Sequence, residues 1–195
     1  MESQTIGKFP TWLPKGKSAF SIPTPPDMPK LHGLFILAGH RGSGKGAALT
    51  SMLRQMKRAG CADRIFWLSS TCASNKCYLD ELGVKPEDQY EHPDNDALQA
   101  VISEVTSMAA EYRQYKEAKE VYHRLHAQLQ RGKDVHDIDN SLLMRASRLG
   151  LLDTDAEPKY KYRKDTQAVC HVVIDDAQGT KLLSSSGSKS LLTNT

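Results

Sequence analysis

Near its N-terminus the chain reads Gly39-His40-Arg41-Gly42-Ser43-Gly44-Lys45, which fits the pattern G-x-x-x-x-G-K. The preceding run, Leu34-Phe35-Ile36-Leu37-Ala38, is short and apolar, as in a buried parallel strand. The following residues, from about Gly44 to Ala59, place apolar side chains at helical spacing before Gly60. A strand, this loop and a helix in that order are the context in which the pattern binds phosphate. The sequence therefore predicts a phosphate-binding segment at residues 39–45, called the phosphate loop below.

The residue types of the phosphate loop explain how it would bind. Glycines let the backbone curl, so that successive N–H groups point at phosphate oxygens. The helix N-terminus adds a partial positive charge, and Lys45 adds a full one for the β- and γ-phosphates. Arg41 would reach a phosphate or a neighbouring subunit, although an exposed loop arginine is the default interpretation. The predicted nucleotide-binding residues are Gly39, His40, Arg41, Gly42, Ser43, Gly44, Lys45 and Gly46.

Gly46 departs from the usual pattern, in which the lysine is followed by Ser or Thr. That hydroxyl normally binds Mg²⁺, and glycine has no ligand to offer. Glycine also weakens the first turn of a helix by about 1 kcal/mol relative to alanine. We therefore expect Gly46 to weaken the binding of a magnesium–nucleotide complex.

A pair of acidic residues, Asp175 and Asp176, follows a predicted strand at residues 168–174. Another strand is predicted earlier, at Arg64–Ser69, so the acidic pair ends the third strand of the chain. Asp175 would hold Mg²⁺, directly or through water. Asp176 would orient the attacking water, as a longer glutamate does in many ATPases, and is predicted to be catalytic together with Lys45. An Asp-Asp pair alone is a weak signal, because turns favour Asp, but the phosphate loop upstream strengthens it.

A long helical insertion is predicted between the second and third strands, at about residues 95–150. Apolar and aromatic side chains recur at helical spacing from Leu98 to Leu129, with Asp94 or Asn95 as the cap. Residues 141–149 carry an apolar stripe and would form a hairpin partner. The later segment 159–164 alternates tyrosines with basic residues, which fits either nucleic-acid contact or a solvated loop.

Composition restricts the possible functions. The chain has 195 residues with 26 Lys and Arg against 23 Asp and Glu, a net charge of +3. This charge is too small to indicate nucleic-acid binding by itself. No apolar run is long enough to predict a membrane span, and residues 1–17 lack the apolar core of a signal peptide, so we expect an intracellular protein. Residues 1–30 are rich in proline and are predicted to form an extended N-terminal arm before a core at residues 31–195.

Several segments together resemble the genome-packaging ATPases of large DNA viruses (the poxvirus type), within the FtsK/HerA class of P-loop motors. The likeness spans roughly residues 20 to 183, and Ser70 stands where that family has proline. It is carried by Pro29-Lys30-Leu31-His32-Gly33, the phosphate loop, Ser69-Ser70-Thr71, Ser74-Asn75-Lys76, Tyr78-Leu79 and the pair Asp175-Asp176.

The resemblance implies an α/β P-loop NTPase fold (ASCE/RecA-like), a parallel sheet with helices on both faces. It implies ATP and Mg²⁺ as cofactors, double-stranded DNA as a partner, and a homo-oligomeric ring at a viral capsid portal or vertex. The location would be host cytoplasm or virion. The family's strand order is 5-1-4-3-2, and no fourth strand follows the third here. We therefore expect a C-terminally truncated core that is marginally stable, aggregation-prone and nearly inactive alone. The alternatives are a P-loop helicase or secretion-type motor, a switch or small-molecule kinase, and a non-hydrolysing nucleotide-binding module.

Overall fold

A computed structural model describes residues 24, 28, 31, 33–40, 42–132, 135–154, 156–162 and 166–176. Short 3-10 turns lie at Pro86–Asp88 and Val135–Asp137. None of the helices in these ranges is both long and apolar enough to cross a membrane. The helices and strands are α1 (Lys45–Arg58), β1 (Arg64–Ser69), α2 (Lys76–Leu82), β2 (Gln89–Tyr90), α3 (Asn95–Gln130), α4 (Asn140–Arg148) and β3 (Cys170–Asp175).

The three strands form one parallel sheet in the order β2-β1-β3. β1 has the predicted bounds of the second strand, and β3 agrees with the predicted third strand to within two residues at its start. Their register pairs Arg64 with Cys170 and Ser69 with Asp175. Because the strands are parallel, Ser69 and Asp175 lie side by side at the carboxyl end of the sheet. β2 was not predicted, since two residues carry no readable periodicity.

Helices pack on both faces of this sheet, as predicted. On one face, Ile65 and Trp67 of β1 contact Leu53 of α1 together with Leu79 and Leu82 of α2. On the other face, Phe66 and Leu68 of β1 contact Val101 of α3. Successive side chains of a strand point to opposite faces, so a continuous apolar strand such as β1 serves two helix layers.

The predicted first strand, residues 34–38, is wrong in this structure. These residues adopt no regular secondary structure, and Leu34 and Ile36 are 68% and 82% exposed. An extended apolar segment becomes a buried strand only where a neighbouring strand pairs its N–H and C=O groups. Among the described strands, β1 has partners on both sides and β3 pairs with β1 alone. The apolar run enters the phosphate loop without pairing with the open edge of β3 or with any other described strand.

The helical insertion is confirmed. α3 is 36 residues long, and the carboxylate of Asp94 caps it by accepting from the N–H of Ala97 at 2.8 Å. α4 folds back on the second half of α3, and Val121, Leu125, Leu142 and Ala146 bury a small core of their own. The first half of α3 packs on the sheet, so the helix connects two separate apolar clusters. Of the predicted arm, residues 1–30, all but Thr24 and Met28 lie outside the described residues.

Candidate functional site: the carboxyl end of the sheet

A polar cluster lies where β1 and β3 end. The amide nitrogen Nδ2 of Asn75 donates to Oδ2 of Asp175 at 3.1 Å and to Oγ1 of Thr71 at 3.3 Å. The Thr71 hydroxyl donates to Oδ2 of Asp176 at 3.3 Å. The Ser69 and Thr71 hydroxyl oxygens lie 2.9 Å apart, and Ser69 is the donor if Thr71 gives its proton to Asp176. One directed set of hydrogen bonds thus joins the end of β1 to both acidic residues.

The local sequence explains why these side chains meet. The turn after Ser69 brings Thr71 back over the strand end, and the N–H of Thr71 donates to the Ser69 hydroxyl at 3.1 Å. Asn75 is the N-cap of α2, yet its side chain makes no capping hydrogen bond. Its amide is therefore available to Asp175, 100 residues later in the chain. Parallel pairing of Ser69 with Asp175 sets the distance between the two strand ends.

The backbone of Asp176 is strained. Among the described residues other than glycine, it alone has a positive φ, 50°. The left-handed conformation costs roughly 1–2 kcal/mol for an ordinary L-residue, although Asp tolerates it better than most. Such conformations persist where the surroundings over-determine them, commonly at functional sites. This turn separates the Asp176 side chain from that of Asp175 and directs it to Thr71.

The phosphate loop curls as its glycines predict. Gly42 and Gly44 have φ of 80° and 84°, a conformation that favours glycine. Nζ of Lys45 donates to the carbonyl oxygens of Gly39 at 2.7 Å and of His40 at 2.9 Å. The lysine therefore closes the loop on itself instead of reaching the acidic pair. Arg41, also predicted to bind nucleotide, lies outside the described residues.

Gly39 packs closely against Ser43 within the loop. A Cβ at this position would lie 2.6 Å from Oγ of Ser43, a distance that real Cβ atoms do not show. The N–H of Ser43 also donates to the His40 carbonyl at 3.2 Å. The loop is thus closed by backbone and side-chain contacts at both of its ends.

Helix α2 connects the phosphate loop to the acidic pair. A Cβ on Gly46 would lie 3.3 Å from Cε2 of Tyr78, in the first turn of α2. Asn75, three residues before Tyr78, holds Asp175. One helical turn therefore contacts both predicted halves of the site. Sequence reasoning gave Thr71, Asn75 and Tyr78 no role beyond the resemblance; polar residues directly after a buried strand were the available signal.

Two carboxylates lie at this end of the sheet, and the residues that could hold a metal ion are Asp175 and Asp176. Among the described residues, no three or more His, Cys, Asp or Glu side chains gather as a metal-binding group. Mg²⁺ is usually held by one or two carboxylates together with substrate phosphates and water. Asp175 and Asp176 could provide the carboxylates, and the loop amides with Lys45 could provide the phosphate partners.

The basic and aromatic segment around Tyr160 is engaged within the molecule. The Tyr160 ring stacks on Tyr115 of α3 at 5.4 Å and contacts Tyr112 at 5.3 Å. Lys161 pairs with Glu111 at 2.8 Å. These contacts attach the segment before β3 to α3, so packing accounts for its tyrosines.

The four cysteines, Cys61, Cys72, Cys77 and Cys170, are free thiols. Burial raises the pKa of the Cys72 thiol, which donates to the Ser69 carbonyl behind the polar cluster. Burial also raises the pKa of Cys170, to about 11. Both thiols are therefore held protonated, which is the opposite of what a nucleophilic cysteine requires.

Comparison with protein-family models, with curated proteins and with solved structures finds no match to this chain.

Proposed function

We propose that this chain is an ATP-binding and ATP-hydrolysing motor subunit that translocates double-stranded DNA, as in the packaging of a viral genome into a capsid. One observation carries the proposal: Asn75 donates to Asp175 while Thr71 donates to Asp176. These residues belong to two segments, far apart in sequence, that both resemble the packaging ATPases. The two segments meet at the carboxyl end of a parallel sheet, and this end is where ligands bind in open α/β folds.

The proposed roles follow from the contacts. Lys45 and the N–H groups of the phosphate loop bind the β- and γ-phosphates, and nucleotide phosphates replace the Gly39 and His40 carbonyls as partners of the ammonium group. Asn75 occupies Oδ2 of Asp175, which leaves Oδ1 to face Mg²⁺ or a water bound to it. Mg²⁺, when bound, supplies positive charge that neutralises the phosphate oxygens.

Asp176 is proposed to orient the attacking water. Its carboxylate is exposed and accepts a 3.3 Å hydrogen bond from Thr71 at one oxygen, so the other oxygen can accept from water. Positioning and charge stabilisation supply most of the catalysis in phosphoryl transfer. Thr71 therefore acts through Asp176, as a residue that fixes the carboxylate.

The DNA-translocating part of the proposal rests on the resemblance alone. It includes a homo-oligomeric ring, a capsid portal or vertex as partner, and host cytoplasm or virion as the location. An alternative motor, a helicase or a secretion-type ATPase, would use the same nucleotide site. Duplex DNA stimulates a packaging motor, whereas forked or single-stranded DNA stimulates a helicase, so turnover with each DNA separates the two.

The first experiment is calorimetric titration with MgATP of the wild type and of Lys45→Ala. We expect binding by the wild type and its loss in the variant, since the loop would lose the ammonium group that is proposed to bind the β- and γ-phosphates. Lys85→Ala is the matched control, because this exposed lysine lies after α2, away from the loop, and pairs only loosely with Glu87 at 3.6 Å. Equal binding by wild type and Lys45→Ala would refute a phosphate-loop site.

A second experiment tests the polar cluster. Asn75→Ala should weaken MgATP binding more than binding of ATP in EDTA, because Asp175 loses its orienting partner. Ser74→Ala is the matched control, an exposed neighbour that contacts neither acid. If Asn75→Ala lost equal affinity for MgATP and for ATP in EDTA, Asn75 would have no role in binding Mg²⁺.

A nucleotide-binding module that does not hydrolyse ATP is the second candidate. Gly46 favours it, because the loop lacks the hydroxyl that commonly binds Mg²⁺. Turnover measured under single-turnover conditions distinguishes the two, since a binding module retains ATP uncleaved.

A further inference from the structure

The ring of Tyr78 fills the space beside Gly46. A Cβ built on Gly46 would lie 3.3 Å from Cε2 and 3.9 Å from Cζ of this ring. The shorter distance is tighter than most real Cβ contacts, so any larger residue at position 46 must displace the ring. The departure of Gly46 from the usual pattern therefore has a structural counterpart on the facing helix.

We propose that Tyr78 is a positioning residue of the nucleotide site, matched to Gly46. Its ring stands against the first turn of α1 and sets the distance between the phosphate loop and the first turn of α2. The inference rests on the proposed function, since the site it concerns is the ATP site. It adds a residue, Tyr78, and a reason why position 46 is glycine.

The backbone that carries the ring is held in place, because α2 packs along α1. Leu79 and Leu53 are 1% and 2% exposed and belong to one apolar cluster. Nζ of Lys57 donates to the Leu82 carbonyl at 2.5 Å, at the far ends of both helices. The Tyr78 side chain must therefore relieve most of this contact itself, and any part of the shift that reaches the backbone acts on the N-cap Asn75, which holds Asp175.

A clear expectation follows for Gly46→Ser, the change that restores the usual pattern. The new Cβ would press on the Tyr78 ring, so the serine, which the sequence alone predicts to strengthen MgATP binding, would instead strain the contact between α1 and α2. We expect the dissociation constant for MgATP to rise about tenfold, the usual scale of a modest overpacking penalty. Removing the ring as well, in Gly46→Ser with Tyr78→Ala, should restore affinity to within about threefold of wild type.

The test measures dissociation constants for MgATP, and for ATP in EDTA, by calorimetry on the full chain. Variants are the two single changes, the double change and Tyr78→Phe, which keeps the ring and should bind as wild type does. Ala47→Ser is the matched control, because it adds a hydroxyl at the next, exposed position. A structural effect alone changes both constants equally. The positioning role instead lowers the affinity for MgATP relative to that for ATP in Tyr78→Ala, a variant that adds no metal ligand.

The outcomes separate the inference from the proposed function. If Lys45→Ala abolishes binding but Gly46→Ser binds as well as wild type, the ATP site stands and the matching of Gly46 to Tyr78 is wrong. If Tyr78→Phe loses as much as Tyr78→Ala, the hydroxyl acts and the proposed role of the ring is wrong. If the wild type binds no MgATP, the proposed function and the positioning role both fail. A double-mutant cycle in unfolding, without nucleotide, then reports whether the two residues are coupled at all.

Discussion

Arg64 is the residue whose loss we expect to damage the fold most. It begins β1 and is 17% exposed, and its guanidinium donates to both carboxylate oxygens of Asp88, at 2.7 to 3.1 Å. Asp88 is 2% exposed. Nη1 of Arg64 also donates to Glu104 of α3 at 2.5 Å. Hydrogen bonding to Asp88 raises the pKa of Arg64 above its usual value, so the group stays charged and ties the sheet to α3.

The expected cost of Arg64→Ala follows from the burial of its partner. Removing one member of a buried ion pair leaves an uncompensated charge and costs about 3–5 kcal/mol. Glu104 adds little, because it is 45% exposed and water screens the pair. A domain of this size has a total free energy of unfolding of roughly 5–15 kcal/mol. Arg64→Ala should therefore remove about 3 kcal/mol or more, a large share of that stability.

Urea unfolding followed by circular dichroism measures this loss as a change in midpoint at constant slope. Arg54→Ala is the matched control, because its ion pair with Glu81, at 2.6 Å, has side chains 43% and 40% exposed. That variant should lose no more than about 1 kcal/mol. Equal losses in the two variants would refute the role assigned to burial. A paired change, Arg64→Met with Asp88→Leu, should recover most of the loss, since it leaves no buried charge unpaired.

Three further predictions concern single side chains. Asp176→Gly should abolish ATP turnover because it removes the carboxylate, while the free energy of unfolding stays within about 1 kcal/mol of wild type because glycine tolerates the φ of 50°. An unstable variant with intact turnover would contradict this. Iodoacetamide at about pH 8 should modify the exposed Cys77 before Cys170, whose pKa burial raises to about 11, as peptide mass spectrometry would show. Ile36→Lys should reduce self-association, measured by sedimentation velocity, more than Met144→Lys does. Ile36 is 82% exposed in a segment outside the described helices and strands, whereas Met144, 69% exposed, lies in α4, whose backbone is hydrogen-bonded within the helix.

The sequence predicted those elements whose signals are local. β1 has the predicted bounds because the apolar run begins after Gly60 and ends in polar residues at Ser69 and beyond. α3 was predicted because the helical period holds over many turns, with Asp94 or Asn95 as its cap, and the structure identifies Asp94 as the capping residue. The parallel pairing of β1 with β3 followed from the resemblance, and no local pattern contains it.

Other features depend on partners that are distant in sequence. Residues 34–38 have the composition of a strand, but pairing depends on a neighbouring backbone, which composition cannot reveal. The contact of Gly46 with Tyr78 requires the relative placement of two helices. The left-handed backbone of Asp176 depends on the turn after β3, and Asp in a turn is common enough to carry no prediction.

The two departures from ordinary local rules, Gly46 and Asp176, both contact the segment that begins α2. Gly46 weakens the first turn of a helix, and its space is taken by Tyr78. Asp176 adopts a conformation unusual outside glycine, and its side chain accepts from Thr71. Exceptions to local preference are expected where function requires a particular geometry, because the rest of the fold offsets their cost. One short segment, residues 71–78, meets both exceptions and also holds Asp175. This segment therefore fixes the position of the phosphate loop relative to the acidic pair, and we expect substitutions within it to affect both.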